Sequence, residues 1–174
     1  MATTTAAPAL DEDTLRLARQ VFQWVRSGNL ERLDPLLERG LPANLRNENG
    51  DSLLMLAAYH GRMDLTRALL AAGAAPELSN DRGQTPLIAA AFKGFTGIVR
   101  MLLDHGAQVD GRGADGRTAL MTAAMFDRID VIDFLLERGA HPDLRDGSGM
   151  TALDAARTMG AGRAVQHLQQ ALAH

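Results

Sequence analysis

The stretch from Asn80 to Gly94, NDRGQTPLIAAAFKG, decides the fold. Gly83 suits the positive φ of a tight turn, Thr85 can cap the free amides of a first helical turn, and Pro86 suits the first helical position, where an N–H would have no partner. The apolar run from Leu87 then ends at Gly94, which can take the left-handed conformation that stops a helix.

The pattern repeats with a period of 33 residues, on which Gly50, Gly83, Gly116 and Gly149 fall. Gly40, Gly73, Gly106 and Gly139 keep the same spacing, as do Gly28, Gly61 and Gly94. Between them recur Leu36-Leu37, Leu69-Leu70, Leu102-Leu103 and Leu135-Leu136, with Ala57-Ala58, Ala90-Ala91 and Ala123-Ala124 upstream. The spacing predicts two short helices per unit. Ser52, Thr118 and Thr151 are cap candidates equivalent to Thr85, and Asp127 stands where other units place the helix-stopping glycine, a position Asp tolerates better than most residues. A fixed period of this length predicts a solenoid, in which stacked units bury a core that no unit could bury alone.

Thr85-Pro86-Leu87-Ile88-Ala89-Ala90 resembles the Thr-Pro-Leu-His-x-Ala signature of the ankyrin-repeat family, except at the histidine. The other units carry Ser52-Leu53-Leu54-Met55, Thr118-Ala119-Leu120-Met121 and Thr151-Ala152-Leu153-Asp154. The resemblance implies an all-α ankyrin-repeat solenoid of about five helix-turn-helix repeats, over residues 14–46, 47–79, 80–112, 113–145 and 146–174. These form a single domain over 11–174, preceded by a tail of residues 1–10 expected to be disordered. In the family the signature histidine is implied to link neighbouring turns, so Met55, Ile88 and Met121 can pack in its place but cannot supply that link.

The end units differ as a solenoid requires, since a terminal repeat presents polar groups where it has no neighbour. Arg157 replaces the second alanine and Leu168-Gln169 replaces the Leu-Leu pair, which marks a C-terminal cap. The first unit lacks the turn. DEDTLRLARQVFQWVRSG reads as a longer helix with Asp11 or Asp13 near its positive end, and Trp24, at the register of Ala57, is expected to cover the end of the core. Pro35 should kink the second helix of that unit or delay its start.

Composition bounds the function. Apolar residues make up 46% and charged residues 22% of 174 positions, enough for a real core, and there is no cysteine for a disulfide, a thiolate nucleophile or a thiolate zinc site. The N-terminal stretch MATTTAAPAL lacks the basic and apolar parts of a secretory signal, and no run is long enough to span a membrane, so a cytoplasmic protein is expected. With a net charge of −3 and interspersed signs, neither nucleic acid nor membrane is expected as a partner. The basic residues are arginines apart from Lys93, a skew that suggests GC-rich coding and a bacterial source.

Several motifs look chemical without the required context. Gly111-Arg112-Gly113-Ala114-Asp115-Gly116 satisfies G-x-G-x-x-G, and Gly111 through Thr118 nearly satisfies the P-loop pattern with Arg117 for lysine, yet neither follows a buried strand. His60, His105, His141, His167 and His174 have no metal-ligand spacing. Asp127 and Asp130 read as a solvated helix end rather than paired acids. No nucleophile, base and orienting group occur together, so no enzyme, cofactor or metal is expected.

The resemblance implies that the two residues before the first-helix stop face a concave side. Those pairs are Tyr59-His60, Phe92-Lys93, Met125-Phe126 and Thr158-Met159. Tyr59, Phe92, Met125, Phe126 and Met159 break the expectation of a polar surface, and such a strip is either a protein-partner site or an addition to the core. Arg82, Arg112, Arg117 and Arg145 would rim it, alongside Arg46, Ser79, Glu48, Asp81, Asp115, Asp51 and Gln84 at the turn tips. The expected function is protein–protein recognition through this concave surface. The alternative is a small-ligand or stress-accessory protein delivering a cofactor such as haem, with Tyr59, His60 and Met125 as a pocket wall.

Overall fold

The computed structural model describes residues 11–173; the tail expected over 1–10 and His174 lie outside them. The described residues form five successive helix pairs: α1 (Glu12–Ser27) with α2 (Leu30–Glu38), α3 (Leu53–Tyr59) with α4 (Met63–Ala71), α5 (Pro86–Lys93) with α6 (Thr96–Asp104), α7 (Ala119–Met125) with α8 (Ile129–Glu137), and α9 (Ala152–Thr158) with α10 (Gly162–Leu172). The first helices α1, α3, α5, α7 and α9 pack in sequence as one row, and the second helices form another behind it.

Each short first helix starts at a hydroxyl cap. Ser52, Thr85 and Thr118 accept from the amides of Met55, Ile88 and Met121 at 3.0, 3.3 and 3.3 Å. Thr151 accepts from Asp154, whose carboxylate in turn accepts from the Thr151 amide, a reciprocal capping box. Such caps are worth about 1 kcal/mol each, a large fraction for helices of seven or eight residues. Asp11 caps α1 through the Thr14 amide at 2.8 Å. Asp127 takes the left-handed conformation with φ 56°, as its register demands.

The core lies between the rows. Ala57, Ala58, Ala90, Ala91, Ala123 and Ala124 are fully buried, and their small side chains let neighbouring first helices approach closely. Leu65, Leu69, Ile98, Leu102, Ile132 and Leu135 close the core from the second row. Trp24 is half-buried against the first-unit end of this core, while Arg157 and Gln169 are exposed at the other end.

Pro35 does not delay its helix: α2 starts at Leu30, the register of Met63 in α4, and runs through Pro35 to Glu38. Pro35 and Glu31 are both exposed, so the Glu31 carbonyl left without an amide partner faces solvent. The turn links lost with the signature histidine are made by other groups. Asn80 donates to Asp51 at 2.8 Å, the Asp81 amide to the Asn49 carbonyl at 3.2 Å and the Gly147 amide to the Asp115 carbonyl at 2.9 Å. Met55, Ile88 and Met121 are buried.

Candidate protein-binding groove

The turn tips are built on an aspartate or asparagine that folds its side chain back on its own turn. Asn47 accepts from the amides of Asn49 and Asp51, Asn80 from those of Arg82 and Gln84, and Asp146 from those of Ser148 and Met150. At the fourth unit Gly113 holds this register, and Asp115 instead accepts from the Arg117 amide at 3.0 Å. Neighbouring tips here are in close contact: a Cβ on Gly83 would lie 2.3 Å from the Ala114 Cβ and 2.6 Å from its amide nitrogen.

The tips and the first helices enclose a groove of about 920 Å³. Met55, Tyr59, Ile88, Phe92, Met125 and Phe126 supply its apolar wall, and Arg26, His60, Arg82, Gln84, Asp115 and Arg117 its polar parts. Tyr59 and Phe92 stack with centroids 6.2 Å apart and planes 7° from parallel, and Phe92 meets Phe126 edge-on at 4.5 Å. The Tyr59 ring packs edge-on to His60 at 5.1 Å, and Lys93 Nζ sits 5.1 Å from the same ring centroid. Tyr59 remains 39% exposed, while Phe92, Met125 and Phe126 are half-buried.

Of the other residues singled out from sequence, Arg82 and Arg117 line the groove, whereas Arg46, Arg112, Arg145 and Met159 do not. Met159 is 50% exposed at the end of α9 and does not line the groove. Arg112 donates to the carbonyls of Gly116 and Arg145 at 3.3 and 2.7 Å, and Arg145 to that of Gly149 at 2.8 Å, so both guanidinium groups bind turns. Arg46 does the same, donating to Gly50, to Ser79 and to Asp81. Arg117 is paired with Asp115 at 3.3 Å, and its buried Nε lies 3.5 Å from Asp146 without a hydrogen bond. The carboxyl of Asp146 is held at about 2, chiefly by the Ser148 hydroxyl, with help from the Met150 and Ser148 amides and the Arg117 charge. Arg82 is exposed and makes no ion pair among the described residues.

Arg26 was not among the concave candidates, although it stands 33 residues before Tyr59 and extending the series into the first unit would have found it. Gly111 through Thr118 forms an inter-repeat turn followed by α7, with no strand before it. His105 bonds the Met101 carbonyl, His141 bonds Asp110 and His167 bonds Asp133. No group of three or more His, Asp or Glu that could hold a metal occurs among the described residues. No helix of the described residues is long and apolar enough to cross a membrane.

Comparison with known proteins agrees with this architecture. The family model for ankyrin repeats, built of three copies, matches residues 21–112, 54–146 and 110–172. A protein named as an ankyrin repeat protein of Pseudomonas aeruginosa is 55% identical over 60 residues, 34% of this chain and 35% of the relative. The match therefore spans about a third of that relative's length. Ankyrin repeats generally mediate protein–protein interaction and are typically not enzymes. The periodic turns, the paired helices and the family match over nearly all of the described residues place this chain in the ankyrin-repeat family.

Proposed function

We propose that the chain binds a protein partner in the groove formed by its first helices and turn tips, with Tyr59, Phe92, Met125 and Phe126 as the contact floor. The observation that carries this reading is the continuous ladder Tyr59–Phe92–Phe126, open to solvent on one side although aromatic side chains of this size are normally covered. Tyr, Phe and Met are the residues enriched at interface centres, and Met adapts to irregular surfaces. His60 and Arg82 stand at the polar edge, where charge affects encounter and specificity more than raw affinity.

Alanine at Phe92 and Phe126 should abolish capture of the native partner, identified by co-purification from the source organism, while leaving the helical melting curve nearly intact. Unfolding of both variants would assign the rings to the core instead. Titration with haem separates the cofactor-delivery alternative, because Tyr59, His60 and Met125 line the same groove. An equimolar change in the haem spectrum, lost in His60→Ala, would favour that alternative.

A further inference from the structure

The Tyr59 end of the groove carries a local charge opposite to that of the chain, with Arg26 and His60 in the lining and Arg62 and Lys93 beside it. The net charge is −3, yet the groups gathered around Tyr59 are Arg26 at the end of α1, His60, Arg62 at the entry to α4, and Lys93 at the end of α5. Arg62 donates to the Arg26 carbonyl at 2.7 and 2.9 Å, which ties the two basic residues of adjacent repeats together. Among the described residues none of Arg26, Arg62 and Lys93 forms an ion pair. Of the carboxylates of the groove wall, Asp115 pairs with Arg117, and Asp51 is buried in the turns, accepting from Asn47 and Asn80. His60 feels this field, since burial and then Arg62, Arg26 and Lys93 hold its imidazole below the ordinary 6.5.

We propose that the cluster Arg26, Arg62, Lys93 and His60 receives a carboxylate of the bound protein, so that the groove selects an extended acidic segment carrying a large apolar side chain close to a Glu or Asp. This rests on the reading that the groove binds a protein. Charge complementarity identifies the occupant: like charges held together without counterions favour an anion, and the apolar floor beside them favours an anchor. The ring spacings of 6.2 and 4.5 Å put that floor within reach of an anion at Tyr59. At about 3.3–3.6 Å per extended residue, the acidic and apolar side chains are separated by about two or three residues. A nucleic acid fits less well, because a polyphosphate needs a basic stripe along its backbone, whereas along the turn tips Arg46 is paired with Asp81 and Arg117 with Asp115.

Selection of short random displayed peptides on the full chain tests this, run in parallel on Phe92→Ala and on the double variants Arg26→Glu/Lys93→Glu and Arg26→Gln/Lys93→Gln. Arg26 and Lys93 are exposed, so their variants should keep the wild-type melting curve. The wild type should enrich peptides with Glu or Asp within about three residues of Phe, Leu, Trp or Met. The neutral variant should weaken these by about tenfold or more, and the charge-reversed one should enrich Lys or Arg at the same place. Peptides that need Phe92 but show no excess of acid overturn the acidic selectivity and leave the groove reading intact. If no peptide depends on Phe92, the groove reading itself fails. Oligodeoxythymidine binding as tightly as the acidic peptides, or groove-dependent dimerisation in sedimentation, would also overturn the proposal by naming a different occupant.

Discussion

Phe92 and Phe126 meet edge-on at 4.5 Å although they hold different positions in their repeats: the register of Phe92 falls on Met125, and Phe126 shares that of Lys93. α5 continues through Lys93, whereas α7 ends at Met125, so Phe126 leaves the helix with φ −109° and ψ 17° and turns toward the neighbouring repeat. α7 ends at the same register as α3 and α9, and the ring just past its end extends the aromatic ladder.

Phe126→Ala should cost about 1 kcal/mol in urea unfolding, the scale of an edge-to-face contact on a half-buried ring. A loss of about 3–5 kcal/mol, typical of a core phenylalanine, would assign the side chain to the interior and remove it from the binding floor.

Asp146 links the last turn to pH. Its folded-state carboxyl is held at about 2 against an ordinary 3.8, so the folded state keeps it ionised. The stability it contributes is present above about 4 and is lost as pH falls from there toward 2. Asn47 and Asn80 make the same turn bonds with a neutral amide. Asp146→Asn should therefore keep the turn, lose the Arg117 ion pair, and flatten this part of the acid limb in melting curves between pH 2 and 4. An unchanged acid limb in the variant would assign the acid sensitivity elsewhere.

Asp127 has two jobs that pull in different directions. Its backbone is left-handed, and its carboxylate accepts from the Ala164 amide at 2.7 Å, capping α10 from the preceding repeat where Ala161 offers no side-chain cap. Asp127→Gly relieves the backbone and loses the cap, so a net cost near 1 kcal/mol or less is expected. Asp127→Ala loses the cap and worsens the backbone, and should cost about 2 kcal/mol. Chemical denaturation of the pair checks the order; equal costs would mean that one of the two effects is absent.

Gly83 and Gly73 separate conformation from close approach. Both have positive φ, 72° and 85°, but a Cβ on Gly73 meets nothing within 4 Å, whereas one on Gly83 would meet the Ala114 Cβ at 2.3 Å and its amide nitrogen at 2.6 Å. Gly73→Ala should cost about 1–2 kcal/mol for the left-handed backbone alone. Gly83→Ala should cost clearly more, because two turn tips must also move apart, and should weaken groove binding in parallel. Equal melting temperatures for the two variants would argue against the tight joint.

The features set by neighbours in the chain are legible from the residues alone. The hydroxyl caps at Ser52, Thr85, Thr118 and Thr151, the left-handed Asp127 and the paired helices are local, and a period of 33 repeats them visibly. The shared placement of Tyr59, Phe92 and Met125 on one wall follows from the same period. Contacts whose partner lies a repeat away depend instead on how the units pack. Arg112 and Arg145 have the charge and register of rim residues, yet their guanidinium groups are taken by backbone carbonyls, while Arg26 enters the groove from an irregular first unit. The contact of Phe126 with Phe92 and the capping of α10 by Asp127 likewise depend on how successive repeats rotate against each other. That rotation comes from packing of the buried alanines and leucines over the whole stack, and no single repeat encodes it.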